Sequence, residues 1–377
     1  MRVIQRYFRT EITRSVLFAL AAFLALFAFF EMMGQLDQVG RNGYQLQQAV
    51  LYVVMGLPGN VYELMPTAVL IGTIYTLSQL AARSEFTIMR VSSMSTGMAA
   101  RVLARIGIGF AVLTIVFGEI VAPKASEWAE KLKLQAQGAS LSSQFRSGMW
   151  AKDVIKDNGL EGNVTGSRFI NIQAIQPDGR IEGVKLYELD TDFHMARMIT
   201  ATSGDYEGNH VWKLSGVVQS DFADGNKDRK ITEPIKTIKL DSMQLVSEVT
   251  PEILSVLFAD PDRMSAYDLL AYTKHLEANN QRTDRYEIAF WKKIVYPLSI
   301  FVMMALALPF AYLHFRAGGV SLKIFTGIMI GVCFQLINSL FSHLGLLNTW
   351  PAFVTAALPS LLFMALAVGA LWWVERN

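Results

Sequence analysis

The sequence predicts an α-helical membrane protein with six transmembrane helices and an all-β domain, of sandwich, open-barrel or jelly-roll-like type, inserted between helices three and four. Three observations carry that expectation. Apolar residues make up 52% of the 377 residues and charged ones 18%, a balance too apolar for an ordinary soluble domain. The charge is segregated, with 46 of the 66 charged residues between Lys124 and Lys292. Inside that charged stretch the apolar period changes to the two-residue alternation of strands.

The spans follow from length. A helix rises about 1.5 Å per residue, so a hydrocarbon core of about 30 Å needs about 20 apolar residues. Six stretches qualify, at Ser15–Met33, Val61–Leu80, Leu103–Val121, Ile294–Leu313, Leu322–Leu344 and Phe353–Val374. Leu46–Leu57, ahead of the second, reads as a segment along the interface. The first stretch runs on through Phe29-Phe30-Glu31 with no small-x-small cleavage site, so it is read as a retained span.

Orientation follows from Lys and Arg in the short loops. One side holds Arg2, Arg6, Arg9, Arg14, Arg83, Arg90, Arg101, Arg105, Arg316, Lys323 and Arg376, and the other only Arg41. Both termini are therefore expected in the cytoplasm and the large insert outside. The expected divisions are 1–123 for helices one to three, 124–290 for the outer domain with helical flanks, and 291–377 for helices four to six.

Within the insert, Ile170, Ile172 and Ala174 alternate with Asn171 and Gln173, and strand-like runs follow at Ile181–Leu189, Ala196–Tyr206, Val211–Val218 and Ile231–Leu240. Turn signals at Pro177-Asp178-Gly179, Glu207-Gly208-Asn209 and Asp224-Gly225-Asn226 separate them. Strands at this spacing suggest a β-sandwich, open barrel or jelly roll. Residues 125–137 and 265–280 read as helices joining strands to spans. An open sheet has edges, which are either blunted or paired with another chain.

Several chemistries lack their signatures. No G-x-x-x-x-G-K-[ST] or H-E-x-x-H occurs, and no cofactor is expected. Asp224-Gly225-Asn226-Lys227-Asp228 opens like a calcium loop but lacks its glycine at position six and glutamate at position twelve, so it reads as a hairpin turn. Asn163-Val164-Thr165 fits a glycosylation acceptor, a tripeptide frequent by chance. The single cysteine, Cys333, lies in an apolar run and supports no disulfide framework. A net charge of +2 gives no nucleic-acid footprint.

Charged residues at the outer ends of the spans form the better candidates. Glu31, Glu63 and Glu119 sit near the interface, where a structural hydrogen bond or a solvated helix end is the plainer reading. Arg41, Lys131, Lys133, Lys292 and Lys293 flank three different spans at headgroup level. Basic pockets between spans bind lipid phosphate, whereas any one of these side chains could simply snorkel to water. Gly327 and Gly331 form a G-x-x-x-G in the fifth span, which permits close helix approach.

The loop Leu80–Gly97 carries charge between two apolar runs. Helical spacing over Arg83–Met94 puts Arg83, Thr87, Arg90 and Met94 on one side, and Glu85, Met89 and Ser92 on another, with Phe86 between. No clean apolar stripe is present, as a helix lying on lipid would need. A short helix seated in a protein groove fits, and so does an ordinary positive-inside loop.

These features, taken with Leu36-Asp37-Gln38, Met65-Pro66-Thr67-Ala68, Gln79-Leu80-Ala81-Ala82-Arg83-Ser84-Glu85, Gly118-Glu119-Ile120-Val121-Ala122-Pro123, Gly148-Met149-Trp150-Ala151-Lys152-Asp153 and Trp291-Lys292-Lys293-Ile294, resemble the lipopolysaccharide export permeases, the LptF/LptG family. The Trp-Ala-Lys-Asp run is closer to the G-type subunit. The resemblance covers nearly the whole chain.

The resemblance implies a non-catalytic half of a heterodimeric membrane core in the bacterial inner membrane. Its expected partners are a homologous F-type permease subunit, two copies of a cytoplasmic ATPase that bind the ATP, a periplasmic jelly-roll bridge protein, and lipopolysaccharide. It makes residues 83–95 a coupling helix, with Arg83, Glu85, Phe86 and Arg90 at the ATPase. It puts Arg41 and Lys133 where the family has basic residues facing the lipid cavity, with Lys131 slightly off that pattern and Gly34 where a related sequence carries lysine. The alternatives from the residues alone are a periplasm-facing enzyme using Glu119 or Glu63 on a lipid or glycan, and a membrane scaffold that binds protein.

Overall fold

The computed structural model describes the chain apart from residues 1, 41–42, 86–87, 89–95, 137–147, 160, 177–178, 223–235, 257–259, 280, 313–319, 349 and 377. Among the described residues, six helices are long and apolar enough to cross a membrane, at Arg6–Leu36, Leu46–Ala82, Gly97–Lys133, Asp284–Ala311, Val320–Asn348 and Ala352–Val374. An antiparallel sheet lies between the third and fourth. The expected fold class is borne out.

Helix α1 covers Arg2–Leu36, and α2 covers Leu46–Ala82. The segment 46–57, expected along the interface, is instead the first part of α2, continuous with the span although Pro58 and Pro66 lie inside the helix. At 37 residues α2 is about 55 Å long, well beyond the about 30 Å of a hydrocarbon core. Helix α3, Thr96–Val116, passes through a π-helical turn at Phe117–Val121 into α4, Ala122–Ala136.

The second and fourth spans form the centre, with 72% of their apolar stretch inside the protein against 17% for the first and fifth. Met65, Leu70, Ile74 and Leu77 of α2 pack with Ile12 and Val16 of α1 and with Ile300 and Met303 of the fourth span. The fifth span, α9 at Val320–Asn348, meets α2 through its two glycines. A methyl group added at Gly327 would lie 2.8 Å from Ile74 Cδ1, and one at Gly331 would lie 2.6 Å from Thr67 Cγ2. The G-x-x-x-G is therefore a contact surface, closed by the absence of side chains. The sixth span is α10, Ala352–Arg376.

Strands β1 (Met149–Asn158), β2 (Glu161–Ile172), β4 (Ile181–Asp190), β5 (Met195–Gly208), β6 (Val211–Asp221) and β7 (Lys236–Val246) each pair antiparallel with the next, and β3 (Ala174–Ile175) pairs with β4. Of the run expected at Ile231–Leu240, residues 231–235 lie outside the described residues and 236–240 open β7. Alternation puts Ala151, Ile170, Leu186, Ile199 and Leu214 in one buried core. Trp212 closes it, its Nε1 donating to Val249 O at 2.7 Å.

One row of the sheet is charged throughout. Asp153, Arg168, Glu188, Arg197, Asp221 and Lys236 are register partners across six strands, alternating in sign. Arg168 reaches Asp153 at 3.3 Å and Glu188 at 2.8 Å, and Arg197 reaches Glu188 at 3.4 Å and Asp221 at 2.8 Å. Asp153 also accepts from Ser247 Oγ at 2.7 Å, which ties the chain after β7 back to β1. Opposite charges directly across a ladder stabilise a pairing, and like charges would oppose it, so this row favours one register.

After the sheet come α5 (Pro251–Val256), α6 (Ala266–Ala278) and α7 (Asp284–Val295). Helices α6 and α7 form a hairpin around Leu269, Tyr272, Leu276 and Ala289. α7 leads through a 3-10 turn at Tyr296–Leu298 into α8, Ser299–Ala307, and a second 3-10 turn at Leu308–Ala311 completes the fourth span.

Candidate functional site

Two sets of residues were expected to act, one at each end of the spans. At the end nearer the β-domain, Lys133 lies in the last turn of α4, where a cation complements the helix carbonyls. Its Nζ sits 5.0 Å from the centre of the Tyr52 ring on the N-terminal extension of α2. Tyr52 Oη in turn donates to Glu130 Oε1 at 3.2 Å. The long α2 thus supplies an aromatic face that orients Lys133. Lys131 points elsewhere and pairs with Glu127 one turn back at 2.6 Å, with both side chains more than half exposed. Arg41 lies outside the described residues.

Lys292 and Lys293 are adjacent on α7 but face different surroundings. Lys292 pairs with Asp262 at 3.1 Å in the 3-10 turn Pro261–Arg263. Lys293 is the member of the set that the structure places differently from expectation, with its ammonium turned inward. It donates to Gly118 O at 2.8 Å, stands 4.8 Å from the centre of the Tyr62 ring, and comes within 4.0 Å of Glu119 Oε1. Its side chain is 4% exposed, so these groups take the place of its water shell.

At the other end, Arg83 is the C-cap of α2, its backbone N–H reaching Gln79 O at 3.0 Å. Ser84 has a φ of +59°, a left-handed conformation that turns the chain off the helix axis. Glu85 follows, and its Oε2 accepts from Tyr7 Oη of α1 at 3.2 Å. Phe86 and Arg90 lie outside the described residues, as does most of the expected coupling helix. Tyr7, Tyr52 and Tyr62 were missed from the sequence. Their one visible signal is a phenol near a charged helix end, which says nothing about which helix it will meet.

Among the described residues, no three His, Cys, Asp or Glu side chains group to hold a metal. What the cluster near the β-domain offers is cations held by aromatic faces and carboxylates at the ends of three spans, a setting suited to an anionic headgroup.

The comparison with known families bears on the whole chain. The family described as the lipopolysaccharide export system permease LptF/LptG matches residues 6–375. The chain belongs to the LptF/LptG family. Among curated relatives it is 29% identical over 378 aligned positions to the lipopolysaccharide export system permease protein LptG of Escherichia coli strain K12, covering 100% of this chain and 98% of that one. It is 26% identical over 375 positions to LptG of Haemophilus influenzae, covering 99% and 98%. Both are G-type members, in line with the resemblance carried by Trp150–Asp153.

The fold gives that LptF/LptG run a physical reason. Trp150 stacks on Tyr187 at 5.6 Å, Ala151 is buried in the sheet core, Lys152 Nζ donates to Asn279 O at 2.9 Å, and Asp153 begins the charged row.

Proposed function

We propose that the chain is the G-type permease subunit of an ATP-driven exporter that draws lipopolysaccharide from the bacterial inner membrane and passes it to a periplasmic bridge. The observation that carries this reading is the family match over nearly the full length, on a chain with six spans and one inserted β-domain. The termini then lie in the cytoplasm, as the bias of basic residues among the short loops supports. The β-domain lies in the periplasm.

Extraction needs work from outside this chain. Exposing buried acyl chain costs about 0.8 kcal/mol per methylene, and the sequence has no P-loop. The source is a cytoplasmic ATPase, two copies of which engage the permease pair through Arg83, Glu85, Phe86 and Arg90 on this subunit. The second half of the core is an F-type homologue. Phe18, Phe29 and Phe30 of α1 and Leu336 and Leu340 of α9 are exposed. An apolar surface of that extent supports a lipid or protein neighbour along these two helices, where the lateral gate is proposed.

Arg41 and Lys133 hold the headgroup phosphates, with Lys131 and Lys292 beside them, and apolar spans hold the acyl chains. ATP-driven closure below moves the coupling segments, collapses the chamber and lifts the lipid. The test is co-purification of the chain with an ATPase and an F-type subunit, followed by reconstitution with lipopolysaccharide. Lipid-stimulated ATP hydrolysis and release of lipid to a soluble β-bridge are expected. A purified complex that hydrolyses ATP but releases no lipid would overturn the reading.

A further inference from the structure

The third span does not end as a plain α-helix. Its π-turn at Phe117–Val121 widens the backbone by one residue, and such turns mark functional or strained points in helices. A side chain at Gly118 would meet the Tyr62 ring, since an added methyl group would lie 2.5 Å from Tyr62 Cδ2. The Gly118 carbonyl accepts from the buried Lys293 of the fourth span. Spans two, three and four therefore meet at one point.

The next residue carries the contact outward. Glu119 Oε1 faces Lys293, while its Oε2 accepts from the backbone N–H of Ala266 at 2.8 Å. Ala266 is the first residue of α6, so the carboxylate sits on the positive end of that helix. α6 is 13 residues, or about 20 Å, long. At its far end the Asn279 carbonyl accepts from Lys152 Nζ on β1. Each terminus is thus held by a charge of the sign its dipole favours, one from the third span and one from the β-domain.

The sides of α6 are also fixed. Tyr272 meets Tyr286 of α7 edge-on at 4.7 Å, and α7 carries Lys293 in its last turn. The hairpin therefore leads directly into the fourth span.

We propose that Glu119 and Lys293 are positioning residues that clamp the π-turn of span three to span four and to α6, making α6 a rigid strut that carries movement of those spans to β1 of the outer domain. This rests on the exporter reading, and gives it a mechanical route from the chamber to the β-domain.

The test uses the reconstituted complex described above. Glu119→Ala and Lys152→Ala cut the strut at opposite ends. Each is expected to leave ATP hydrolysis intact and to lower lipid released per ATP by about fivefold or more, the lower range of coupling between linked sites. The double variant is expected to be no worse than either single one, because a strut cut once is already cut. Glu119→Gln keeps an oxygen for the Ala266 N–H and is expected to retain release.

A second measurement needs no lipid. Spin labels at Ile120 and Val164, both exposed, on a Cys333→Ser background, sit near the two ends of the strut and are expected to keep their separation on nucleotide binding. In both single variants the separation should change or broaden when nucleotide binds. Release per ATP equal to the parent complex in the single variants, losses that multiply in the double one, or a separation that changes in the parent or stays fixed after both cuts would each overturn the strut. A parent complex that releases no lipid, with the separation fixed in the parent and changed in both single variants, would overturn the exporter reading and leave the strut standing.

Discussion

Tyr7 Oη donates to Glu85 Oε2 across 3.2 Å, joining the first helix to the start of the charged loop between the second and third spans. The bond is exposed, so its net worth is about 1 kcal/mol or less. Its importance lies in direction. Glu85 follows a left-handed Ser84 at the end of α2, so without Tyr7 its carboxylate would be free to swing. The two residues are 78 apart in sequence, and no periodicity links them.

The first prediction concerns this pair. Glu85→Lys is expected to abolish recruitment of the ATPase or its coupling to transport, while the chain still inserts and its β-domain still folds. Tyr7→Phe removes only one hydrogen bond and is expected to weaken coupling by severalfold at most, in keeping with about 1 kcal/mol. Co-purification and lipid-stimulated ATP hydrolysis separate the two variants. Wild-type export in Glu85→Lys would remove the lever role from this segment.

The charged row yields a stability prediction. Arg168 is the shared partner of Asp153 and Glu188, and the three side chains are at most 10% exposed. Arg168→Leu leaves two carboxylates facing an apolar side chain. Removing one partner of a buried ion pair costs about 3–5 kcal/mol, so amide protection in β2 and β4 should fall sharply by hydrogen exchange on the full chain. Lys213→Ala removes an exposed pair to Glu207 at 3.9 Å and should cost under about 1 kcal/mol. Equal effects of the two changes would show that the row does not hold the sheet.

That row also shows where sequence reasoning stops. Alternation along each strand is local, and it marked Ile170 and Ile172 as inward. The same alternation makes Arg168 inward, but its partners Asp153 and Glu188 lie 15 and 20 residues away. Only the register of the folded sheet aligns them. The spans were legible because twenty apolar residues have few other uses. The extension of α2 was not, because Pro58 and Gly59 signal a break that packing against α4 overrides. Lys292 and Lys293 look equivalent in sequence, yet successive helical residues lie about 100° apart, and that angle divides a rim lysine from a buried one.

Gly331 gives a packing prediction. A methyl group there would lie 2.6 Å from Thr67 Cγ2, so either the Thr67 side chain or the two helices would have to shift. Gly331→Val is expected to destabilise the contact by about 1–3 kcal/mol, the usual range for overpacking. Gly369, with open space around it, serves as the control, and Gly369→Ala should be silent. Thermal unfolding of the detergent-purified chain checks both, and an equally stable Gly331→Val variant would show that the two helices do not depend on this approach.

The phosphate-holding proposal can be tested apart from energy coupling. Arg41→Glu together with Lys133→Glu reverses two charges of the proposed headgroup site. Photocrosslinking of lipopolysaccharide from a probe at the chamber wall is expected to fall, with ATP hydrolysis in the absence of lipid unaffected. Lys133→Glu also sets a carboxylate against the Tyr52 ring and beside Glu130, so Lys133→Gln is the companion variant that removes charge without adding repulsion. Unaltered crosslinking in both would reject the rim as the headgroup site.

His275 makes the junction between α6 and the β-domain sensitive to pH. Burial holds its imidazole below the ordinary histidine value, and burial outweighs the opposing pull of Glu248, 3.9 Å away, and of Asp153. The Asn279 amide lies beside the ring at 3.5 Å. A base whose folded pKa is depressed binds fewer protons folded than unfolded between the two values. Its contribution is therefore complete above the unfolded pKa of about 6.5 and is lost as pH falls from there through the folded value. The carboxylate Asp221 behaves in the same sense but much lower on the scale, because the Arg197 hydrogen bond holds it below the ordinary aspartate range. A thermal-unfolding comparison at about pH 7.5 and 5.5 therefore brackets histidine titration, since carboxylates with ordinary or lowered pKa values stay ionised at both, and a His275 variant separates this residue from the other four histidines of the chain. The parent chain is expected to lose stability at the lower pH, and His275→Gln, which keeps a polar side chain without the titration, should lose less. An identical pH response in the two chains would show that His275 charges as readily folded as unfolded.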